Sequence, residues 1–287
     1  MKNLKLENAA LILEGGGLRG AFTSGALRRF ADDKLYFDYV IGVSMGACNA
    51  ANYVSLQPER NRIVNTRYIH DRRYISYRRL LFKGELFGMD FIFNEIPNKY
   101  IHFDEKTLLE NPMRCIMGVT DCETGKPLYY DKNDLGSDYR HVLKASSSLP
   151  LVAKPVKYKE KFLMDGGLSD SIPVRKAEQE GYKKRVVILT RPYGYRKKPS
   201  KLPGFLLYQY RKFPGLLKSI KTQYLQYNEA VSYIEELEAK GEIFVIRPKT
   251  DLPAKRVERN IIKIYLTYDQ GYETTSECFE PLLEYLK

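Results

Sequence analysis

Two glycine-bearing turns, each between a short apolar run and a helix-like stretch, constrain this chain more than any other feature of its sequence. Ala9–Leu13 is apolar and ends at Glu14; Gly15-Gly16-Gly17-Leu18-Arg19-Gly20 follows, then Ala21–Asp33 with Ala, Leu and Phe recurring on one side. Tyr39–Val43 is the next apolar run, and Gly42-Val43-Ser44-Met45-Gly46 carries the chain into a helix-like Met45–Leu56. Short apolar runs bounded by turns read as buried strands, and a three-to-four-residue recurrence reads as a helix. Further strands are expected at Cys115–Val119, Leu128–Tyr130, Lys161–Met164, Val186–Thr190 and Ile243–Arg247. Ser171 is expected to cap a helix with Pro173 in its first turn and Gly181 past its end. Leu217, Ile220, Tyr224, Tyr227, Val231, Ile234 and Leu237 mark one face of a long amphipathic helix that Gly241 closes. Strands separated by helices predict an α/β fold with a largely parallel sheet covered on both faces.

At 287 residues the chain can bury a core without disulfides or a structural metal. Cys48, Cys115, Cys122 and Cys278 form no CxxC pair, and His70, His102 and His141 are the only histidines, so no metal site is expected. The apolar runs fall far short of the ~20 residues a membrane-spanning helix needs. No secretory leader is read at the N-terminus, so reduced thiols and a cytoplasmic location are expected.

The net charge of +12 is unevenly spread. Residues 181–228 hold twelve Lys or Arg and no Asp or Glu, and residues 60–83 hold eight against Asp71 alone. The stretch 193–221 interleaves its cations with Tyr193, Tyr195, Phe205, Leu206, Leu207, Tyr208, Tyr210 and Phe213. Such a segment suits peripheral contact with an anionic membrane, or a solvated cationic surface whose aromatics pack inward. No nucleic-acid reader motif accompanies it, and no nucleic acid is expected as a partner. Arg60–Lys83 reads as a helix or a lid.

The chemistry rests on three places. In the glycine loop, successive backbone N–H groups beside a helix start suit an anion. The spacing also matches a dinucleotide fingerprint, but no acidic residue ends the second strand to hold a ribose. Gly42-Val43-Ser44-Met45-Gly46 occupies that place and has the G-x-S-x-G pattern of a nucleophile elbow, where flanking glycines remove side chains that would clash in a sharp turn. A helix entry with Ser44 as N-cap is the plainer reading. A serine nucleophile needs a base. No histidine follows His141, and Asp165, in Met164-Asp165-Gly166-Gly167 at a strand end, becomes a base if burial raises its pKa.

GGGLRG, GVSMG and DGG in that order, with Ala145-Ser146-Ser147-Ser148-Leu149-Pro150 ahead of the aspartate, resemble the patatin-like phospholipases. The four blocks span residues 14–167, and the strand–helix pattern extends the similarity to about residue 250. The resemblance implies a three-layer α/β/α sandwich and hydrolysis of acyl lipids, phospholipids or lysophospholipids, with no cofactor. It also implies Ser44 as nucleophile, Asp165 as base, and an oxyanion hole from the amides of Gly15, Gly16 and Gly17. Arg19 is expected to help hold that loop, with Gly20, Gly42, Gly46, Gly166 and Gly167 in support. Glu14, where the family more often has Asp, is expected to matter little. The chain is expected to be one catalytic domain: a motif-bearing core over 8–191, a basic aromatic insertion or linker over 192–215, and a helix, a strand and C-terminal helices over 216–287. An acyltransferase fits the same residues, and so does a non-catalytic module that binds a nucleotide or a membrane.

Overall fold

The computed structural model describes residues 4–150, 153–199 and 204–287. Its strands are β1 (Leu4–Leu13), β2 (Leu35–Val43), β3 (Arg114–Asp121), β4 (Pro127–Asp131), β5 (Val156–Tyr158), β6 (Lys161–Asp165), β7 (Lys184–Ile188) and β8 (Phe244–Ile246). The α-helices before β5 are α1 (Ala21–Asp32), α2 (Met45–Val54), α3 (Arg60–Tyr68), α4 (Tyr77–Lys83), α5 (Glu105–Glu110), α6 (Lys132–Leu135) and α7 (Tyr139–Ser146), with a π-helix over Phe91–Tyr100 between α4 and α5. After β6 come α8 (Val174–Gln179), α9 (Gly204–Gln209), α10 (Pro214–Ala239), α11 (Ile261–Glu277) and α12 (Phe279–Leu286).

All eight strands form one sheet. Its middle, β3-β2-β1-β7-β8, is parallel, and β4, β6 and β5 add antiparallel pairs at one side. Side chains alternate across a strand, and β1 shows the consequence. Leu11 and Leu13 pack with Phe22 and Phe30 of α1, Ala50 of α2, Val142 of α7 and Leu282 of α12. Ala10 and Ile12 face the other way, against Val174 of α8 and Val231 and Ile234 of α10. Helices thus cover both faces, giving the three-layer α/β/α sandwich with a mostly parallel sheet. Gly25 of α1 sits directly on the Tyr268 carbonyl of α11, so these two helices pack backbone to backbone.

The sheet also sets up the site. β4 pairs with Ile116–Thr120 of β3. β2 pairs with β3 only as far as Val43 opposite Gly118, and β6 begins where β2 stops, with Asp165 opposite Val119. Since a strand has two edges, β2 and β6 must share the one that β4 leaves free. The residue after Val43 is therefore delivered beside Asp165.

The strands and helices that the sequence predicts are present; Arg60–Lys83, read as a helix or a lid, holds the two helices α3 and α4, and α5, α6, α9 and the helix Phe91–Tyr100 carry no prediction. Three further differences have a local cause. β1 starts at Leu4, ahead of the apolar run, because a bulge at Asn8 (φ 64°) joins two stretches paired with β2. β5 has only three residues, around a lysine, and carries no periodic signal. Ser171 does not cap α8: Pro173 takes the N-cap position, and the Ser171 hydroxyl donates instead to Gly167 O at 2.9 Å. Among the described residues no helix is long and apolar enough to cross a membrane.

Candidate active site

Ser44 is where β2 turns into α2, at φ 57° and ψ −127°. That conformation costs a non-glycine residue about 1–3 kcal/mol and persists only where its surroundings enforce it. The enforcement is visible. A Cβ on Gly42 would run into the Gly46 backbone, and one on Gly46 would lie 2.5 Å from Leu13 O. The turn is thus closed by three backbones in contact. The Ser44 N–H donates to Ser146 Oγ at 2.9 Å, and Ser146 Oγ donates to Gly118 O at 2.7 Å.

Asp165 ends β6 and is 1% exposed. Its N–H donates to Ser148 O at 2.9 Å, and its carbonyl accepts from the Thr120 hydroxyl at 2.8 Å. Oδ1 accepts the Gly167 N–H at 2.8 Å. Oδ2 is sealed from solvent with no completed hydrogen bond, and the hydroxyl beside the carboxylate is that of Ser44. Burial pushes the Asp165 pKa up to about 6, against the pull of Ser44, Gly167 N–H, Arg256 and Lys197. Gly166 packs on the Gly118 carbonyl, where a side chain would not fit. The Gly167 carbonyl accepts from Ser171 Oγ and from Gln223 Nε2.

The glycine loop lies against this pair: a Cβ on Gly15 would be 3.2 Å from Ser44 Cβ. The Gly15 N–H donates to Ser171 O at 3.3 Å, whereas those of Gly16 and Gly17 meet no acceptor among the described residues. Gly17 has φ 58° and is pressed on the Arg256 carbonyl, which accepts from Leu18 N–H at 3.0 Å. Gly20 O accepts from Asn49 Nδ2 at 2.9 Å, tying the loop to α2. Three expectations change here, the first being that the Gly15 amide, expected in the oxyanion hole with those of Gly16 and Gly17, is taken by Ser171 O. Arg19 is buried, but its side chain makes no hydrogen bond or ion pair among the described residues. Glu14 does the anchoring instead: one carboxylate oxygen accepts from the Thr190 N–H and hydroxyl, the other from Tyr227 OH at 3.0 Å. A glutamate reaches those partners, so the residue expected to matter little is a buried strut.

Ser44 opens onto a pocket of about 140 Å³, lined mainly by apolar side chains that include Met45, Phe87, Phe93, Phe103 and Leu143. Cys48, one turn after Ser44, lines it as well, and burial holds its thiol up at about 11. A serine hydroxyl faces an apolar cavity, with a buried carboxylate behind it and, among the described residues, unpartnered amides of Gly16 and Gly17 beside it.

A family model described as Patatin-like phospholipase matches residues 11–178, more than half of the chain. The chain belongs to the patatin-like phospholipase family, a family of lipid acyl hydrolases. A second model, a domain of unknown function (DUF6363), matches residues 213–287. An uncharacterized Escherichia coli (strain K12) protein, YjjU, is 31% identical over 196 residues, which are 64% of this chain and 52% of that one. The chain thus spans about half the length of this curated relative. VipD from Legionella pneumophila superposes with a TM-score of 0.49 at 11% identity, over 98% of this chain and 67% of its own.

In this patatin-like chain the basic aromatic stretch is not one surface. Tyr193 and Tyr208 are exposed, but Tyr210 is buried and Phe213 packs on Phe162. Tyr195 packs on Tyr227, and Arg196 pairs with Glu235 at 2.5 Å. Residues 200–203 and the side chains of Phe205, Leu206 and Leu207 lie outside the described residues. Among the described residues, the most exposed large apolar side chains are on α4, where Leu81 is 79% and Phe82 73% exposed.

Sequence reasoning missed Ser146, although it lies in the A-S-x-x-x-P block, and it missed Ser171, Lys197 and Arg256. Nothing local marks these last three; only the fold brings them to the loop.

Proposed function

We propose that this protein is a serine acyl hydrolase of the phospholipase A or lysophospholipase type, using Ser44 and Asp165. The observation that carries the reading is the Ser44 hydroxyl beside a buried Asp165 oxygen, with the other oxygen of that carboxylate fixed by Gly167 N–H. A carboxyl of pKa about 6 is ionised at neutral pH yet basic enough to take a proton. In the reaction, Asp165 accepts the Ser44 proton as Oγ bonds to the ester carbonyl carbon. The carbonyl oxygen becomes an oxyanion held by the Gly16 and Gly17 amides. The ester C–O bond breaks, and the proton passes from Asp165 to the departing alkoxide, giving the alcohol or lysolipid. Water then attacks the acyl-enzyme, with Asp165 again taking a proton and returning it to Ser44. The acyl chain lies in the apolar pocket, as the lining residues favour.

We read the chain as one catalytic unit, since β8, within the stretch 213–287, pairs with β7 and extends the same sheet. Contact with a membrane is assigned to α4, with Tyr193 and Tyr208 as further exposed aromatics.

Intact-mass measurement after treatment with a fluorophosphonate probe tests the reading. One adduct per chain is expected, and none on Ser44→Ala. A folded parent that stays unlabelled, both in solution and on anionic vesicles, would overturn it.

A further inference from the structure

A second pocket, of about 210 Å³, adjoins the glycine loop, and its lining is unlike the first. Arg19, Arg191, Lys197, Lys198 and Arg256 all line it, and among the described residues no carboxylate does. Arg256 lines both pockets, so the two meet at the Gly17–Arg256 contact.

The acidic groups nearby are already engaged. Glu14 is held by Thr190 and Tyr227, Asp251 pairs with Arg191 at 2.9 Å, and Asp165 is held by Gly167 and faces Ser44. Arg19, Lys197 and Arg256 have no ion pair among the described residues. Arg19 is only 6% exposed, and its Nε is sealed from solvent without an acceptor. A buried guanidinium with no acceptor among the described residues is costly, and Arg19 lines this pocket, so an anion seated there would offset that cost. Burial draws Arg19 down to about 10 and Lys197 to about 7; Arg191 and Arg256 push the first down further and Arg256 the second, against the pull of Glu14 on both.

The cations are also placed rather than loose. The Lys197 backbone is clamped to Asn228 in both directions, N–H to Oδ1 at 2.8 Å and O from Nδ2 at 3.0 Å. Its Nζ sits 3.4 Å from Ser171 Oγ and 3.9 Å from the centre of the Tyr227 ring. Two guanidinium groups and an ammonium converging on one concave position match an anion with three or four acceptor oxygens better than a planar carboxylate.

We propose that this pocket binds a phosphate group, either the phosphate of a lipid whose ester carbonyl lies at Ser44 or free phosphate. The lipid source rests on the hydrolase reading above; the site itself does not.

The test is calorimetric titration of the full chain with inorganic phosphate, against sodium chloride of equal ionic strength. Binding is expected in the parent, at least tenfold weaker in the Lys197→Gln, Arg256→Gln double variant, and recovered in Lys197→Arg. Lys197→Met alone serves where the double variant does not fold. No phosphate binding by the parent, a chloride response of equal size, or unchanged binding by a folded variant would each overturn the proposal. Fluorophosphonate labelling of the same samples separates the two readings: labelling without phosphate binding removes the pocket alone, and phosphate binding without labelling removes the hydrolase alone. Comparing kcat/KM for lysophosphatidic acid and a monoacylglycerol of the same chain then assigns the source. A tenfold or greater preference that the double variant loses identifies the lipid phosphate, and equal rates with retained phosphate binding identify free phosphate.

Discussion

The backbone amide of Ser44 donates to the hydroxyl of Ser146 across 102 residues of chain, at 2.9 Å. The same hydroxyl donates to Gly118 O, so one side chain joins the elbow, the end of α7 and the middle of β3. Ser146→Ala leaves a buried N–H and a buried carbonyl each short of a partner, at about 1–3 kcal/mol apiece. The variant is expected to melt several degrees lower. It is also expected to lose tenfold or more in kcat with KM little changed, because the elbow loses its hold on Ser44 rather than on substrate. A melting curve and a kcat–KM pair check this; loss of stability at undiminished kcat would make Ser146 structural only.

Asp165 illustrates a site held against its own stability. Its pKa of about 6 in the fold exceeds the ordinary ~3.9, so the folded state holds its proton over a pH range in which the unfolded chain has released it. Stability from this group is therefore lost as pH rises from about 4 to about 6, and the charged carboxylate costs about 2–3 kcal/mol at neutral pH. Asparagine keeps an oxygen for the Gly167 N–H and removes the charge. Asp165→Asn is expected to be inactive yet more stable at pH 7, with the gain vanishing near pH 4. Denaturant unfolding of both proteins at the two pH values measures it.

With Asp165 as the proposed base, the same shift predicts the acid limb of the rate. The base works only as carboxylate, so kcat/KM on a soluble ester is expected to fall tenfold per pH unit below about 6. A limb near 4 would mean that Asp165 is not buried as described, or is not the base.

The elbow glycines were legible in the sequence because a short motif repeats a local geometry. Gly46→Ala places a methyl group 2.5 Å from Leu13 O and 2.8 Å from Glu14 O, both backbone atoms that cannot swing away. A loss of about 3 kcal/mol or more is expected. Gly204→Ala, where nothing lies within 4 Å, serves as the control and should shift stability little. Equal melting temperatures for the two would refute the packing argument.

What was legible, and what was not, divides along the same line. Apolar alternation in β1 and β2 reports which faces are buried, and glycine spacing reports the turns. Asp165 was legible only once histidine was found missing after His141. The anchoring of the glycine loop was hidden, since Glu14 meets Thr190 and Tyr227 across 176 and 213 residues. The basic stretch was legible only as a composition, for a related reason: charge is countable along a chain, but its direction is not. Lys197 and Arg191 turn inward to a pocket and Arg196 finds Glu235, whereas Tyr193 and Tyr208 stay exposed, as do Leu81 and Phe82 of α4.

That helix gives the last prediction. α4 is capped at both ends, by the Ser76 hydroxyl accepting from Arg79 N–H and by Gly84 at φ 69°, and none of its residues is buried. Leu81 and Phe82 project beside Arg78 and Lys83, and the chain just beyond contributes Phe87 and Met89 to the pocket on which Ser44 opens. Apolar side chains flanked by cations lower into an anionic lipid surface, each buried one contributing about 1.5–3 kcal/mol. Leu81→Asp with Phe82→Asp replaces that gain with repulsion. The rate on phosphatidylglycerol-containing vesicles, divided by the rate on a short soluble ester, is expected to fall at least tenfold, with vesicle co-sedimentation falling in step. If both rates drop together, the helix acts on the pocket rather than on the membrane; if neither drops, contact is made elsewhere, and Tyr193 and Tyr208 are the exposed aromatics to change next.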